Sequence, residues 1–295
     1  MKTIAFFSEK GGVGKSSFTI MYASYLKYRH GLRVAVADFN HRINEYRLKE
    51  ISVRKKLIQK NPDSGLEPYD TEKAWRVAEV KTSEILELTR NGCQFPYAQW
   101  LLDEIDHGRL EGQDIVICDF PGSMSGGEFK QNYACGNLSY VVIPTERDTM
   151  TLNSTNKLKK ALAEERRCPY SIFMNKAQLT LGSTRNTYVN LCRKLTQTGF
   201  PMLPDMVEYS DKMTAIDKVN VFRSTFEFSD FNDKEKFGKS GDLGIENLFA
   251  DITKILAKEP DIKGTPAVDM SFAQALQKTP GRRSYTGSAY PELEI

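Results

Sequence analysis

The sequence predicts an α/β protein with a doubly wound, mostly parallel sheet and helices on both faces. Three observations predict it. Short apolar, β-branched runs recur along the chain, amphipathic stretches at helical spacing lie between them, and a glycine-rich turn joins the first run to the first such stretch.

The runs are "TIAFFS" (3–8), "RVAVADF" (33–39), "DIVICDF" (114–120), "YVVIP" (140–144) and "YSIFMN" (170–175). Each is nearly continuous in apolar residues, which suits parallel strands covered on both faces. After the first, Phe18, Met21, Tyr22 and Tyr25 recur at helical spacing, and Gly31 supplies a C-terminal stop. The second and third runs are separated by residues 45–110, polar and mostly helical in pattern, and far longer than one crossover requires. Leu152 to Leu162 and Ile245 to Leu256 read as further helices, and right-handed crossovers are expected throughout. From Glu259 the chain turns rich in Pro, Gly, Ser and Thr. One domain is therefore expected over 1–258, followed by a disordered or extended tail over 259–295. No internal repeat is visible.

With 295 residues, 40% hydrophobic and 27% charged, the chain has the composition of an ordinary globular protein with ample material for a core. A net charge of +3 and a pI of about 8.4 permit a nucleic-acid partner without demanding one. The five cysteines (Cys93, Cys118, Cys135, Cys168 and Cys192) form no C-x-x-C pair, and their odd number argues against a disulfide framework. A reducing, cytoplasmic setting is expected. "TIAFF" is too short for a signal peptide or a membrane span.

The turn "KGGVGKSS" (10–17) carries the chemistry. A P-loop asks for G-x-x-x-x-G-K-[ST]. Gly14, Lys15 and Ser16 supply its end, but Glu9 stands where the first glycine belongs, and an extra lysine, Lys10, opens the loop. A strand before it and an amphipathic helix after it complete the context of a nucleotide site of the P-loop NTPase type. Backbone N–H groups from Gly11, Gly12, Val13 and Gly14 through Ser17 would cradle phosphates, aided by the positive end of the helix. Lys15 would lie on the β- and γ-phosphates, and the Ser16 hydroxyl would ligate Mg²⁺. Asp38, Asp119 and Asn175 end predicted strands, so all three fall on the sheet edge where ligands bind in open α/β folds. Asp38 and Asp119 read either as Mg²⁺ ligands, usually through water, or as turn formers closing a strand.

In these residues the sequence resembles the ParA/MinD family of deviant Walker A ATPases. "KGGVGKSS" is similar to that family's loop, "VAVADFN" to its second motif and "DIVICDFPG" to its Walker B strand. "VVIP" and "FMNK" are similar to the strand ends that follow, and "MLPDMVEYSDKMTA" resembles a proline-containing segment near the base-binding loop. The resemblance covers roughly residues 1–257. It implies ATP and Mg²⁺ as cofactors and a homodimer formed on ATP binding, in which Lys10 reaches the nucleotide of the other subunit. The alternative is that Lys10 acts only in its own loop. It also implies that Asn175 hydrogen-bonds adenine, the alternative being an asparagine that simply terminates a strand.

The sequence departs from the family at Asn40. The second motif usually reads Asp-x-Asp, with the second carboxylate positioning the attacking water; here it reads Asp38-Phe39-Asn40. An asparagine orients water but cannot accept its proton, so a catalytic role for Lys10, Lys15 and Asn40 implies slow hydrolysis and a long-lived ATP state. The Asp-Phe-Asn motif faintly resembles ParA-like proteins of conjugative elements.

Partners are less legible. "RLKEISVRKKLIQK" (47–60) carries Arg47, Lys49, Arg54, Lys55, Lys56 and Lys60 against Glu50, and reads either as a non-specific DNA-binding patch or as a solvated helix face. A weaker cluster combines Lys157, Lys159, Lys160, Arg166 and Arg167 with Glu164 and Glu165. No helix-turn-helix segment precedes the first strand, so operator-specific binding is not expected. The stripe at 245–256 has the spacing of a last core helix rather than a membrane anchor. Trp75 and Trp100 read as core. An unidentified protein partner is expected by resemblance. A non-hydrolysing ATP-bound scaffold for an assembly such as a DNA-transfer complex is the alternative function; a small-molecule-activating enzyme of the same fold is a third, for which no constellation of convergent charges is found.

Overall fold

Four of the five apolar runs become strands in which every residue is buried: β1 (Lys2–Phe6), β2 (Val34–Asp38), β4 (Ile115–Asp119) and β5 (Tyr140–Thr145). The fifth becomes β6 (Tyr170–Ala177). With β3 (Arg76–Glu79) and β7 (Met202–Glu208) they form a seven-stranded, all-parallel sheet in the order β3-β2-β4-β1-β5-β6-β7. This is a computed structural model, and it describes residues 1–63, 68–134, 138–163, 169–177, 182–208, 224–225 and 244–258. The expected tail over 259–295 lies outside the described residues, as do Cys135 and Cys168; Cys93, Cys118 and Cys192 are free thiols.

The helices are α1 (Lys15–Ser24), which runs into a π-helical turn at Tyr25–Arg29, then α2 (Arg42–Lys60), α3 (Thr82–Arg90), α4 (Pro96–Asp106), α5 (Gly126–Ala134), α6 (Thr149–Ala163), α7 (Gly182–Gln197) and α8 (Ile245–Lys258). The stretch 45–110 is thus not only helical: it also supplies β3. That strand is four residues long with Arg76 and Glu79 exposed, as befits a sheet edge, and so lacks the apolar run that marks a central strand. The other edge, β7, contains Pro204, which an edge strand tolerates.

Successive strand residues point to opposite faces and build two cores. Ile4, Phe6, Val34, Val36, Ile115 and Ile117 join residues of α1, α2 and α8; Ala5, Phe7, Ala35, Ala37, Val116 and Cys118 join residues of α4 and α6 and Phe129 of α5. Phe18, one turn into α1, stacks on Phe6 at 5.8 Å and meets Phe173 edge-on at 4.9 Å, fixing the start of α1 against the sheet. Ile245, Leu248, Phe249, Ile252 and Leu256 of α8 are fully buried, so this stripe is a core face. Among the described residues no helix is long and apolar enough to cross a membrane.

Trp75 and Trp100 are both core residues, at 0% and 5% exposure. Trp75 belongs to a buried polar network beneath α2. Its indole N–H donates to Ser24 (2.9 Å), and Ser24 donates to the Ser224 carbonyl (2.5 Å). Glu50, itself 2% exposed, accepts from the Thr225 N–H (2.9 Å), the Thr225 hydroxyl (2.7 Å) and the Ser224 hydroxyl, and faces Arg54 at 3.8 Å. Truncating one member strands the others in a dry site. Glu50→Ala is expected to cost about 3–5 kcal/mol in urea unfolding, whereas Lys49→Ala, on the exposed side of the same helix, stays within about 0.5 kcal/mol. Equal unfolding midpoints for the two variants would contradict this account.

Candidate functional site

The sheet topology brings the predicted residues to one edge. Asp38 and Asp119 are the last residues of β2 and β4 and stand opposite each other in the ladder. The loop 7–14 leaves the adjacent end of β1, and Asn175 lies near the end of β6.

The loop is shaped by its glycines. Gly12 and Gly14 have φ of 77° and 92°, with Val13 buried between them. At Gly14 the restriction is double, because a β-carbon there would lie 3.1 Å from the Phe18 ring and 3.4 Å from the Asn175 amide. α1 then begins with no capping side chain and no acidic residue in its first turn, so its positive end is turned to the loop without a counter-charge from its own sequence. Lys15, only 6% exposed, donates to the carbonyls of Ser8 (2.8 Å) and Lys10 (2.9 Å). Burial pulls its pKa below the ordinary lysine value, against the opposing charge of Asp119.

The two carboxylates are fully buried. One Asp38 oxygen accepts from the Asn44 backbone N–H at 2.8 Å, and one Asp119 oxygen accepts from the Ser16 hydroxyl at 2.8 Å and the Asn40 amide at 3.4 Å. The other oxygen of each, Oδ1, is buried without a hydrogen-bond partner. Burial raises both pKa values. Asp119 is pushed up to about 7 by burial and by the charge of Asp38, with Ser16, Asn40 and Lys15 acting against the rise. Two orphaned carboxylate oxygens beside a serine hydroxyl suit a hard divalent cation. Among the described residues no group of three or more His, Cys, Asp or Glu could hold a metal. Mg²⁺, which fills its shell with phosphate oxygens and water, fits such a sparse donor set.

Asn40 sits within this group, its amide 3.3 Å from the Ser16 hydroxyl. Asn175 donates its amide N–H to the Val13 carbonyl at 2.9 Å. Lys10 folds back on its own chain, donating to Asp148 (2.8 Å) and Thr151 (2.7 Å), with Glu146 at 3.6 Å. The hydrogen bond it donates to Asp148 leads the rise in the Lys10 pKa. At Asp148 burial is outweighed by hydrogen bonds from Lys10 and Thr151, which hold the carboxyl below its ordinary value.

The roles of four residues at this edge escaped sequence reasoning. Glu9 accepts from the Gly126 backbone N–H (2.6 Å) and the Ser154 hydroxyl (3.1 Å), so the residue that breaks the P-loop pattern ties the loop to α5 and α6. Glu146 and Asp148 follow β5 at the same sheet edge, and Lys176 follows Asn175. The strand-end rule that singled out Asp38 and Asp119 would have found them.

Residues 4–265 match the family described as the CobQ/CobB/MinD/ParA nucleotide binding domain. The chain belongs to this family. The ParA/MinD members of this family are generally P-loop ATPases. No curated protein matches the chain in sequence. Among solved structures, it is similar to a putative plasmid partition protein from Borrelia burgdorferi bound to AMPPNP (17% identity, TM-score 0.54, 87% of this chain and 98% of that one). It is also similar to the MinD cell division protein of Aquifex aeolicus (14%, 0.54, 86% and 98%) and to pNOB8 ParA (14%, 0.53, 87% and 98%). At these identities the likeness is one of fold.

On this ParA/MinD-type framework the basic run of α2 divides. Lys49, Lys55, Lys56 and Lys60 are exposed, but Arg54 is buried against Glu50, and Arg47 donates to the Tyr69 hydroxyl (2.9 Å) and the Trp75 carbonyl. The patch expected over 47–60 therefore loses Arg54 to the interior and has the half-buried Arg47 engaged by these acceptors. In the second cluster Lys157 and Lys160 are exposed and Lys159 donates to the Thr198 carbonyl (2.9 Å), while residues 164–167 lie outside the described residues.

The buried carboxylates predict a pH dependence. A carboxyl whose folded pKa is raised stabilises the fold below its unfolded value, near 4, and that contribution is lost as pH climbs through the folded value, about 7 for Asp119. Without nucleotide and with EDTA present, wild-type protein is expected to lose more thermal stability between pH 5 and 8 than Asp119→Asn. Parallel melting curves across that range would refute it.

Proposed function

We propose that this chain is an ATP-binding, slowly hydrolysing switch that dimerises with ATP bound and serves in partitioning or positioning DNA or a protein complex. What supports it above all is one convergence. A loop and helix end built for an anion lie beside two buried carboxylates with an unpartnered oxygen each. A nucleoside triphosphate with Mg²⁺ supplies both missing charges.

In this reading the backbone from Gly11 to Ser17 cradles the phosphates, and Lys15 exchanges the carbonyls of Ser8 and Lys10 for phosphate oxygens, whose charge restores its ordinary pKa. Ser16, Asp38 and Asp119 would hold the Mg²⁺. When bound, that ion neutralises charge on the phosphate oxygens. Asn40 orients water without taking its proton, so turnover is slow. Lys10, with 32% of its side chain exposed, leaves Asp148 and Thr151 to reach the nucleotide of a second subunit. The exposed lysines of α2 neutralise DNA phosphates without reading sequence. Asn40 alone favours a second reading, in which ATP locks an assembly and is not hydrolysed.

Steady-state phosphate release from ATP·Mg²⁺, with and without duplex DNA and with Lys15→Ala as the blank, tests the switch. Slow release above the blank, accelerated by DNA and raised further by Asn40→Asp, is the expected result. Release equal to the blank despite ATP binding would establish the scaffold instead. Lys10→Ala should abolish ATP-induced dimers in light scattering while leaving ATP binding largely intact; loss of binding as well would place Lys10 in its own loop only.

A further inference from the structure

At the end of β6 the backbone departs from a regular strand. The ladder to β7 pairs Met174 with Met206 and Ala177 with Glu208, so β6 takes three steps where β7 takes two. The extra residue forms a bulge at Asn175–Lys176, and Lys176 adopts φ of 53°, a left-handed conformation that only one other described non-glycine residue, His41, shares. Bulges re-aim side chains, and a left-handed lysine persists only where its surroundings impose it. Here the two side chains turn onto consecutive carbonyls of the loop. The Lys176 ammonium donates to Gly12 O at 2.8 Å, and the Asn175 amide donates to Val13 O at 2.9 Å. Glu146 holds the lysine from its other side at 2.7 Å.

A peptide unit is planar, with its C=O and N–H pointing in opposite directions. Holding the Gly12 and Val13 carbonyls toward β6 therefore turns the N–H groups of Val13 and Gly14 away from it. With Gly12 and Gly14 left-handed around Val13, these amides take the alternating geometry of an anion-binding nest.

We propose that Asn175 and Lys176 are positioning residues that clamp the phosphate loop in its anion-binding form, and thereby set affinity for the polyphosphate itself, whatever base it carries. The proposal rests on the nucleotide reading above and deepens it. Gly12 lies at the crest of the loop, exposed, and a β-carbon on it would meet nothing within 4 Å, while Val13 beside it is buried. Lys176 bonds that crest from outside the loop, and Asn175 bonds the carbonyl next to it.

The test compares ATP·Mg²⁺ with inorganic tripolyphosphate·Mg²⁺, which has no base, by calorimetry on the full chain. Lys176→Gly removes the ammonium while favouring the left-handed backbone, so its ligand-free melting temperature is expected to match or exceed wild type. Affinity for both ligands should fall by the same factor, about tenfold. The loss should persist near 1 M salt, where the screening length is about 3 Å, and the uncharged change Asn175→Ala should reproduce it for tripolyphosphate, which has no base for Asn175 to touch. Undiminished binding, a loss confined to ATP, or a loss that disappears in high salt would each overturn the clamp. Wild-type protein that binds neither ligand would overturn the nucleotide reading and the clamp with it.

Discussion

Two carboxylates set side by side in a dry interior are the constraint around which this site is organised. Asp38 and Asp119 occupy paired positions on neighbouring parallel strands, whose backbones lie about 4.8 Å apart. Register alone brings them together, and no rotation of the helices would relieve them. Ser16, Asn40 and Asn44 each donate to one oxygen, but one oxygen of each carboxylate stays buried and unpartnered. A protein keeps such a pair only if something else in the fold holds the strands in place. That is the work of the aromatic cluster around β1, where Phe6, Phe18 and Phe173 pack the loop's helix onto the sheet, and Phe7 stacks on Phe129 from the opposite face.

The central strands were legible in the sequence because burial on both faces leaves an unbroken apolar run, α8 because one buried stripe leaves helical spacing, and α1, buried on nearly every side, because its large apolar residues still recur at that spacing. The edges were not. β3 has one buried residue in four, and β7 interleaves Pro204 and Asp205 with its apolar positions, so neither carries a run. The family resemblance reached β7 by its proline but did not identify it as a strand. Glu9 was legible only as a fault in a motif. Its partner Gly126 is 117 residues away, and nothing local ties the two.

Charge was the least legible property. Along α2 the sequence shows six basic residues in fourteen, and composition cannot say which of them face water. Helical geometry does: Arg47, Glu50 and Arg54 fall at spacings of three and four, on one face. That face lies against Trp75, Tyr69 and Thr225, so the arginines serve the interior and the lysines are left outside. Arginine suits the buried side, since its planar, weakly hydrated group bonds several acceptors at once.

The same reasoning explains why residue 40 can be an asparagine. An aspartate there would be a third carboxylate beside two that each already carry an unpartnered oxygen, and would raise the charge that burial penalises. The amide instead donates to Asp119 and lies against Ser16, relieving the pair in the absence of any cation. In the proposed switch this exchange would slow turnover, because an amide cannot receive a proton from water. Under that proposal the departure from the family motif trades one requirement of the site against another: a carboxylate would serve proton transfer, whereas the asparagine limits the charge that the dry interior must hold.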